Sequence, residues 1–555
     1  MRRTHAAFAV AAAAILTIAA GAAQDASVRI TVLFTSDLHG HILPYDYFSA
    51  QPAEFGLAKV GTLIRRVREE NPNTILLDGG DTIQGSPLLF YTQRVQEGLP
   101  NPMMRAMNLL GYDAMVVGNH DFNYGLGVLR AAEEEAEFPF LSANIIDEIT
   151  GERVFLPFEV VERAGVRIAV IGLTTPAIPS WEVPEHYAGL VFNDPVGMAR
   201  VWIPSLRGPR NCDLVIALAH FGFEGDPDSD EGFTNSEENM AYELATEIEG
   251  IDLLLTGHTH DLIEPQQIGG TFACTCPPYG RRVIRIDVDL EPDGEGGWRV
   301  TGRSGRSIPV TEEIEPDPEV VAEVLEAHEL TESYLNDVVG ATAEPLSSGN
   351  GLFRDTALAD LLQTAQLEAT EADVSFAAPP IGEQFEIPAG PITLRQVYAL
   401  YRYDDQLLAV DVNGETIRAA LEHAARYYDG LELTPVGVLE VVTDQEIYPG
   451  CVDFAEGVSY RIDPTRPKGQ RVRDLAYRGR PIRPEQSFTV AINSYRFVGG
   501  DGYGMFAGCP VVSRTELEVR EIVIDYLRRC GTLEPSCSRN WYIAPDIMES
   551  QEVER

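Results

Sequence analysis

The stretch Ile30-Thr-Val-Leu-Phe-Thr35, followed directly by Ser36-Asp37-Leu38-His39, decides the fold class of this chain. A run of β-branched and apolar residues that ends in polar residues is typical of a buried strand with a loop at its carboxyl end. The same arrangement recurs in runs that begin at Thr74, Ala114, Ile168, Leu214 and Ile251. Helical stretches are predicted between these runs, at residues 57–70, 103–110 and 237–248. Alternating strands and helices predict a layered α/β domain.

A change in composition divides the chain into two domains. The length of 555 residues exceeds what one hydrophobic core usually supports. Residues 311–339 contain Pro316 and Pro318 and then a helical run, which is typical of a linker with a helix. We therefore predict a first α/β domain over residues 25–310, a second over residues 340–545, and a flexible tail over residues 546–555.

Residues 1–23 are typical of a signal peptide. Arg2 and Arg3 precede an apolar stretch that runs to about Ala20, and small residues up to Ala23 suit a cleavage site. The apolar stretch is short for a membrane span, although an uncleaved anchor is the alternative. We expect an exported protein, periplasmic or extracellular, with no stable membrane anchor.

The strong negative charge limits the partners of this protein. The formal net charge is −43, so the surface repels nucleic-acid polymers and anionic membranes. Lys59 and Lys468 are the only lysines. An anionic substrate would therefore need a local positive centre, which metal ions or selected arginines could provide. The composition leaves the oligomeric state open.

The seven cysteines allow disulfides in an exported protein. Cys530 and Cys537 are the pair that proximity in the sequence favours. Cys274-Thr-Cys276 has the spacing of a soft-metal motif, but no further thiolate ligands lie nearby in the sequence.

Five polar segments follow the predicted N-terminal strands. They are Asp37-Leu-His39, Gly80-Asp81, Gly118-Asn119-His120-Asp121, Ala219-His220 and Gly257-His258-Thr259-His260. Each one alone is more often a turn or a helix cap than a functional site. Their joint occurrence is informative, because ligands in open α/β sheets bind at the carboxyl ends of strands. Folding should therefore collect these groups at one edge.

The collected side chains are a metal-ligand set of carboxylate, imidazole and amide oxygen. Seven of them can form two centres if the two carboxylate oxygens of Asp81 bridge the ions. The seven are Asp37, His39, Asp81, Asn119, His220, His258 and His260. Two divalent ions (Zn, Mn, Co or similar) about 3.5–4 Å apart can clamp a phosphoryl group and acidify a bound water.

These motifs resemble the calcineurin-like metallophosphatases, and more narrowly the secreted 5′-nucleotidase and 2′,3′-cyclic-nucleotide phosphodiesterase/3′-nucleotidase family. The resemblance covers nearly the whole chain after the signal peptide. It implies an N-terminal four-layer metallophosphatase β-sandwich flanked by helices, a linker helix, and a C-terminal α/β domain that binds the nucleoside. It implies one metal at Asp37, His39, Asp81 and His260, and a second at Asp81, Asn119, His220 and His258. It also implies that His120 is the catalytic histidine and Asn123 its partner.

The resemblance implies three substrate-binding residues in the second domain. Tyr403, in Leu400-Tyr-Arg-Tyr403, and Tyr495, in Asn493-Ser-Tyr495, would stack on the base. Asp501, in Gly499-Gly-Asp-Gly-Tyr503, would bind ribose hydroxyls. The substrate would then lie in a cleft between the domains. The alternative is that both tyrosines are half-buried strand residues.

The motifs leave the position of the scissile phosphate open. Two segments are similar to signatures of the cyclic phosphodiesterase branch, namely Tyr45-Asp-Tyr-Phe48 and Gly118-Asn-His-Asp-Phe-Asn-Tyr-Gly125. The 5′ branch has a phosphate loop with an arginine, which is missing from the corresponding stretch Ser375-Phe-Ala-Ala-Pro-Pro380. The 5′ branch usually carries an aspartate at position 123, whereas the Gly499–Tyr503 motif is typical of 5′-nucleotidases. We therefore expect two-metal hydrolysis of nucleotide phosphate esters with 2′,3′-cyclic or 3′ preference. The alternatives are 5′-nucleotidase or UDP-sugar hydrolase specificity, a broad phosphoesterase or thiosulfohydrolase of the same fold, and a non-catalytic binding protein.

Overall fold

The computed structural model describes residues 27–544 except 97, 226–237, 350, 381–384, 434–438, 442–449 and 451. The chain forms two compact units that divide inside a helix, after His328. The predicted signal peptide and tail lie outside the described residues. Among the described helices, none combines the length and the apolar composition that crossing a membrane requires.

The first unit contains two six-stranded sheets. Their strands are β1 (Val28–Thr35), β2 (Thr74–Asp78), β3 (Ala114–Val116), β4 (Phe140–Leu141), β5 (Phe158–Arg163), β6 (Val166–Thr174), β7 (Leu214–His220), β8 (Leu253–Thr256), β9 (Ile263–Ile268), β10 (Thr271–Thr275), β11 (Arg282–Pro292) and β12 (Trp298–Pro309). The first sheet has the order β12-β11-β1-β2-β3-β4 and the second the order β9-β10-β8-β7-β6-β5. Strands β1 to β4 run parallel, as do β6, β7, β8 and β10.

The two sheets pack face to face over a shared apolar core. Ile30, Val32 and Phe34 point into this core from β1, because alternate residues of a strand face the same side. Val170 of β6 and Ile216 of β7 meet them from the second sheet, and all five side chains are fully buried. Helices cover the outer faces, so the layers run helix, sheet, sheet, helix. The predicted α/β fold class is confirmed.

The structure contains each helix predicted for the first unit, together with helices that the sequence analysis did not predict. The helices are α1 (Leu57–Glu70), α2 (Pro87–Phe90), α3 (Pro102–Leu110), α4 (Gly125–Glu135), α5 (Pro195–Arg207), α6 (Ala241–Glu247) and α7 (Pro318–Leu335), and the division between the units falls inside α7. Helix α3 begins one residue before its prediction because Asn101 caps it, accepting the N–H groups of Met103 and Met104, and Pro102 occupies the first turn. The predicted helix at residues 237–248 is shorter in the structure, and residue 237 lies outside the described part.

The second unit is also α/β. Its strands are β13 (Val338–Thr342), β14 (Leu346–Ser347), β15 (Val374–Ala377), β16 (Glu386–Ile387), β17 (Gly390–Thr393), β18 (Gln406–Asn413), β19 (Leu431–Leu433), β20 (Leu439–Val441), β21 (Phe454–Glu456), β22 (Val458–Ile462), β23 (Val472–Tyr477), β24 (Arg480–Pro481), β25 (Ser487–Asn493), β26 (Val511–Glu518), β27 (Thr532–Leu533) and β28 (Trp541–Ile543). Its helices are α8 (Ala357–Thr370), α9 (Leu394–Leu400), α10 (Gly414–Ala424), α11 (Ser494–Phe497) and α12 (Val519–Cys530). A five-stranded sheet, β21-β15-β25-β18-β26, and a four-stranded sheet, β24-β23-β22-β28, share one core.

The expected disulfide between Cys530 and Cys537 is wrong, because both are free thiols. Cys530 ends helix α12, beside Tyr526. The chain then leaves the helix in the short strand β27 and brings Cys537 against the carboxylates of Asp355 and Asp360. Proximity in the sequence therefore did not bring the two sulfur atoms together.

Candidate metal centre

Strand ends place every predicted ligand of the first unit near its neighbours. Asp37 follows β1, Asp81 follows β2 and Asn119 follows β3, whereas His220 ends β7 and His258 follows β8. Their strands belong to two sheets, so the prediction that these groups meet at one sheet edge is wrong. The apolar runs predict where each strand ends, but they do not say with which strand it pairs.

The backbone at this site is strained in a way that brings polar groups close together. Five of the seven predicted ligands adopt the left-handed conformation, which costs energy for residues other than glycine. They are Asp37 (φ 51°), His39 (φ 45°), Asp81 (φ 55°), His258 (φ 75°) and His260 (φ 61°). A Cβ atom at Gly257 would lie 1.9 Å from Ser36 Oγ and 2.5 Å from Asp37 Oδ2. Only glycine fits beside that carboxylate.

The first group of side chains consists of Asp37, His39 and His260, whose ligand atoms all lie within 4.8 Å of one another. The Nδ1–H group of His39 donates to the carbonyl of Gln84 at 3.2 Å. This bond leaves Nε2 facing the group, 3.1 Å from Nε2 of His260. His260 Nε2 lies 3.5 Å from Asp37 Oδ1.

The second group consists of Asp81, His220 and His258, again within 4.8 Å of one another. The Nδ1–H group of His220 donates to the carbonyl of Gly79 at 2.6 Å, so Nε2 faces the group. That atom lies 3.1 Å from Asp81 Oδ2 and 3.0 Å from Asn119 Oδ1. The amide oxygen predicted for this group is therefore in reach.

Asp81 lies between the two groups. Its Oδ1 accepts the backbone N–H of His120 at 2.7 Å, while Oδ2 is buried without a hydrogen-bond partner. The same Oδ2 atom is 3.1 Å from His220 Nε2 in one group and 3.9 Å from His39 Nε2 in the other. A buried carboxylate oxygen without a donor, placed between imidazole nitrogens, is what a bridging metal ligand requires. The residues present therefore fit a pair of divalent ions.

The electrostatics of the cluster agree with this fit. Burial lowers the pKa of His39 to about 3, so its imidazole is neutral and offers a lone pair. Burial also acts to lower the pKa of His220, but the charge of Asp81 and the contact with it raise this pKa to about 10. Burial opposes ionisation of Asp81, yet the charges of His220 and His120 hold its pKa well below the usual value. The buried carboxylate thus requires positive charge beside it.

His120 is held at the edge of the cluster. Its Nδ1–H group donates to Asn123 Oδ1 at 2.6 Å, which leaves Nε2 for the reacting group. The imidazole packs edge-on against His39, with ring centroids 5.3 Å apart. The predicted pairing of His120 with Asn123 is therefore present, and their catalytic role stays a prediction.

The structure also shows a residue that the sequence reasoning passed over. This residue is Asp121, the last residue of the segment Gly118-Asn119-His120-Asp121. Its buried carboxylate accepts four backbone N–H groups at 2.8–3.1 Å, and the donors are Gly118, Asp81, Thr82 and Ile83. It therefore fixes the loop after β2 to the loop after β3. The two loops lie 35 residues or more apart in the sequence, so no local pattern predicts this contact.

Two further residues support the histidines. Glu238 Oε1 lies 2.8 Å from His258 Nε2, so this carboxylate holds the ring of a predicted ligand. The ring of Tyr279 packs edge-on against His39 and His260 at centroid distances of 5.8 and 5.9 Å. Neither residue belongs to a periodic pattern, so the sequence alone did not identify them.

The three predicted substrate residues all lie in the second unit. Tyr403 follows helix α9 and is 47% exposed, and Tyr495 lies in helix α11. Neither tyrosine is a strand residue, so the alternative interpretation of both is wrong. Tyr495 donates its hydroxyl to Asp501 Oδ1 at 3.2 Å.

Two family models match the chain in the positions of the two units. The model of the calcineurin-like phosphoesterases matches residues 30–262, and the model of the 5′-nucleotidase C-terminal domain matches residues 338–508.

Three relatives are informative, and one of them, YfkN of Bacillus subtilis, matches both as a sequence and as a solved structure. The trifunctional nucleotide phosphoesterase protein YfkN of Bacillus subtilis is 29% identical over 93% of this chain, which spans only 39% of that longer protein. A crystal structure of the calcineurin-like phosphoesterase YfkN is 31% identical, with 56% of this chain and 99% of that chain covered and a TM-score of 0.51. The 2′,3′-cyclic-nucleotide 2′-phosphodiesterase/3′-nucleotidase of Yersinia enterocolitica is 28% identical over 96% of this chain and 90% of its own length. A structure from Staphylococcus aureus, described as a 5′-nucleotidase in complex with α-ketoglutarate, is 26% identical, covers 93% of this chain and 100% of its own, and has a TM-score of 0.81.

Proposed function

Since this chain belongs to the calcineurin-like phosphoesterases and carries a 5′-nucleotidase C-terminal domain, we propose that it hydrolyses phosphate esters of nucleotides with two divalent metal ions. One observation carries the proposal: the bare Oδ2 atom of Asp81 lies between two groups of metal-ligand side chains, with His120 beside it. The protein has a net charge of −43, which opposes the binding of a phosphate unless positive charge is supplied locally. The supply of local positive charge is therefore the main requirement of this reaction.

The residues of the first unit have separable roles in this reaction. Divalent ions bound there would polarise the phosphoryl oxygens and acidify a water molecule. The ions would be held by the seven predicted ligands, Asp37, His39, Asp81, Asn119, His220, His258 and His260. Asn123 accepts the Nδ1–H group of His120, so Nε2 is the atom that would meet the substrate. As an imidazolium, His120 would carry a proton on Nε2 as well, and it would stabilise charge on the transferring phosphoryl group or give that proton to the leaving oxygen. Asn123 orients the ring without adding a negative charge to it.

The second unit supplies recognition of the nucleoside. Tyr403 is half exposed and can stack on any base, since every base has a π-face. Tyr495 and Asp501 lie within hydrogen-bond distance of each other and can serve the base and the ribose together. These roles distinguish a nucleotide hydrolase from a broad phosphoesterase, which has no need of them.

The preferred substrates are 2′,3′-cyclic and 3′-nucleotides, by similarity to the Yersinia enzyme and the motifs of that branch. The carboxylate of Asp501, whose side chain is 27% exposed, favours a second candidate, the 5′-nucleotides. Only a 5′-nucleotide leaves both the 2′ and the 3′ hydroxyl free to donate to a carboxylate, since the cyclic ester blocks both. We assign the protein to the periplasm or the extracellular space on the basis of its N-terminal sequence.

A substrate panel tests this proposal directly. Turnover of 2′,3′-cyclic AMP, 3′-AMP, 5′-AMP and p-nitrophenyl phosphate is measured with Zn, Mn and Co added singly after removal of metal by a chelator. We expect no turnover without metal and higher kcat/KM for the cyclic and 3′ substrates than for 5′-AMP. The reverse order would establish the 5′ candidate. Turnover of p-nitrophenyl phosphate with none of the nucleotides would refute the nucleotide assignment.

Replacing Tyr403 and Tyr495 together by Ala should raise KM for nucleotides by roughly tenfold or more, because each base–aromatic stack contributes about 1–3 kcal/mol. The kcat and KM for p-nitrophenyl phosphate should stay unchanged, since this substrate has no nucleoside. Steady-state kinetics on both substrates measure the difference. Tyr91→Ala, at a half-buried tyrosine of the first unit outside the site, is the matched control. Equal losses on both substrates would favour the broad phosphoesterase.

A further inference from the structure

The carboxylate of Asp501 is held by two donors. Asp501 lies on the short turn Gly500–Gly502 with a left-handed backbone, φ 51°. Its Oδ2 accepts Arg496 Nη1 at 2.6 Å, and its Oδ1 accepts the hydroxyl of Tyr495 at 3.2 Å. Each oxygen keeps a second lone pair, so the carboxylate can still accept hydrogen bonds from a ligand. Its direction is set by the protein before any ligand binds.

Arg496 is the better anchored of the two donors, because its side chain is only 4% exposed. Its Nε and Nη2 atoms form a paired contact with the buried carboxylate of Asp453 at 3.1–3.2 Å, and Nη2 also donates to the carbonyl of Gly450 at 2.6 Å. One guanidinium group therefore joins three separate points of the chain. A planar fork of five N–H donors is required for this, and a lysine ammonium cannot reproduce it.

Arg496 also contacts the rings on either side of it. Its guanidinium carbon lies 4.7 Å from the ring centroid of Tyr503 and 5.4 Å from that of Tyr495. Gly500 packs on the ring of Tyr495, since a Cβ atom there would lie 2.6 Å from three ring atoms. The ring of Tyr495 is thus fixed by the same arginine and the same turn that fix Asp501.

The charge of Arg496 has a second consequence. Asp501 is an exposed acidic residue in a protein of net charge −43, and a bare carboxylate would repel the phosphate of a nucleotide. The contact with Arg496 offsets part of that charge, since the single guanidinium charge is shared with Asp453, and the carboxylate of Asp501 remains a hydrogen-bond acceptor. Sugar hydroxyls can therefore be recognised close to a phosphate.

We propose that Arg496 is the positioning residue of the nucleoside site, which orients Asp501 and Tyr495 as one unit and offsets part of the charge of the Asp501 carboxylate. This inference rests on the proposed nucleotide hydrolysis. Arg496 itself need not touch the substrate, because its own donors are directed at Asp453, Gly450 and Asp501. Its contribution lies in the KM for nucleotides.

The test is Arg496→Lys, which keeps the charge beside Asp453 and removes the fork. We expect KM for the preferred nucleotide to rise about tenfold or more, because the variant loses one charged hydrogen bond that holds the binding site. Turnover of p-nitrophenyl phosphate and the metal content should not change. The matched control is Arg471→Lys, at a 7% exposed arginine that donates to the carbonyls of Ala425 and Arg466. A merely structural role would lower activity on both substrates, and either that result or an unchanged nucleotide KM would overturn the proposal.

A second comparison remains decisive if Arg496→Lys does not fold. Tyr495→Phe removes only the weaker donor to Asp501, whereas Asp501→Ala removes the carboxylate. With Arg496 in place, Tyr495→Phe should raise the nucleotide KM much less than Asp501→Ala does. Equal effects would mean that the tyrosine positions the carboxylate, which contradicts the proposal. Failure of the proposed function is seen separately, as a wild-type protein that hydrolyses p-nitrophenyl phosphate but no nucleotide.

Discussion

Replacing His120 by Ala is expected to lower kcat by a factor on the order of 10²–10⁴, with both metal positions still filled. The imidazole belongs to neither group of metal-ligand side chains, and its Nδ1 is held by Asn123 at 2.6 Å. What Ala removes is the Nε2 atom that would meet the phosphoryl or leaving oxygen. The backbone N–H of residue 120 continues to donate to Asp81 Oδ1, so the cluster keeps its geometry.

Metal analysis beside kcat separates this role from ligation. The purified variant should contain two metal ions for each chain, as the wild type should, and lose most of its turnover. His186→Ala is the matched control, because it makes the same change at a half-buried histidine outside the cluster. Loss of an ion from the His120 variant would move that residue into the ligand set and undo the catalytic assignment.

The strands of the metal unit could be predicted because a buried parallel strand is a nearly continuous apolar run. Ile30–Thr35 and Leu214–Leu218 lie inside β1 and β7, and helix α1 has the predicted bounds. The polar residues just after these runs were identified for the same reason. The period of a run contains no information on its partners, so the division of the ligands between two sheets was not predictable.

Contacts between residues that are far apart in the sequence could not be predicted either, because a local pattern does not specify tertiary partners. Arg496 meets Asp453 across 43 residues, and Asp121 reaches the loop of Asp81 across about 40. Both Arg496 and Asp121 are buried charged residues whose partners are set by tertiary packing. From the sequence alone, an isolated Arg or Asp is expected at the surface. The free thiols of Cys530 and Cys537 are the converse case, in which neighbours in the sequence are directed apart by a helix end.

Replacing Asp81 by Asn is expected to remove both metal ions together and to reduce turnover to the level of the chelated protein. Asp81 Oδ2 approaches side chains of both groups, at 3.1 Å from His220 Nε2 and 3.9 Å from His39 Nε2. The amide of an asparagine carries no negative charge, so its oxygen cannot offset the repulsion between two neighbouring cations as a carboxylate oxygen does. Changing residues outside the ligand shell alone weakens metal binding by roughly 10–100-fold. Loss of the bridge itself should therefore exceed that range.

Asp78→Asn is the matched control, since it makes the same change three residues earlier in the same strand end. Asp78 is buried and accepts the hydroxyls of Thr35 and Thr82 and the backbone N–H of Gly80, and it belongs to neither group of metal-ligand side chains. Burial raises its pKa to about 7, so near neutral pH it is already protonated for much of the time and an amide is a fair substitute. Metal content and kcat of this variant should stay close to the wild type. If Asp81→Asn lost only one ion, the two sites would not share this carboxylate, and the reaction would have to be assigned to a single centre.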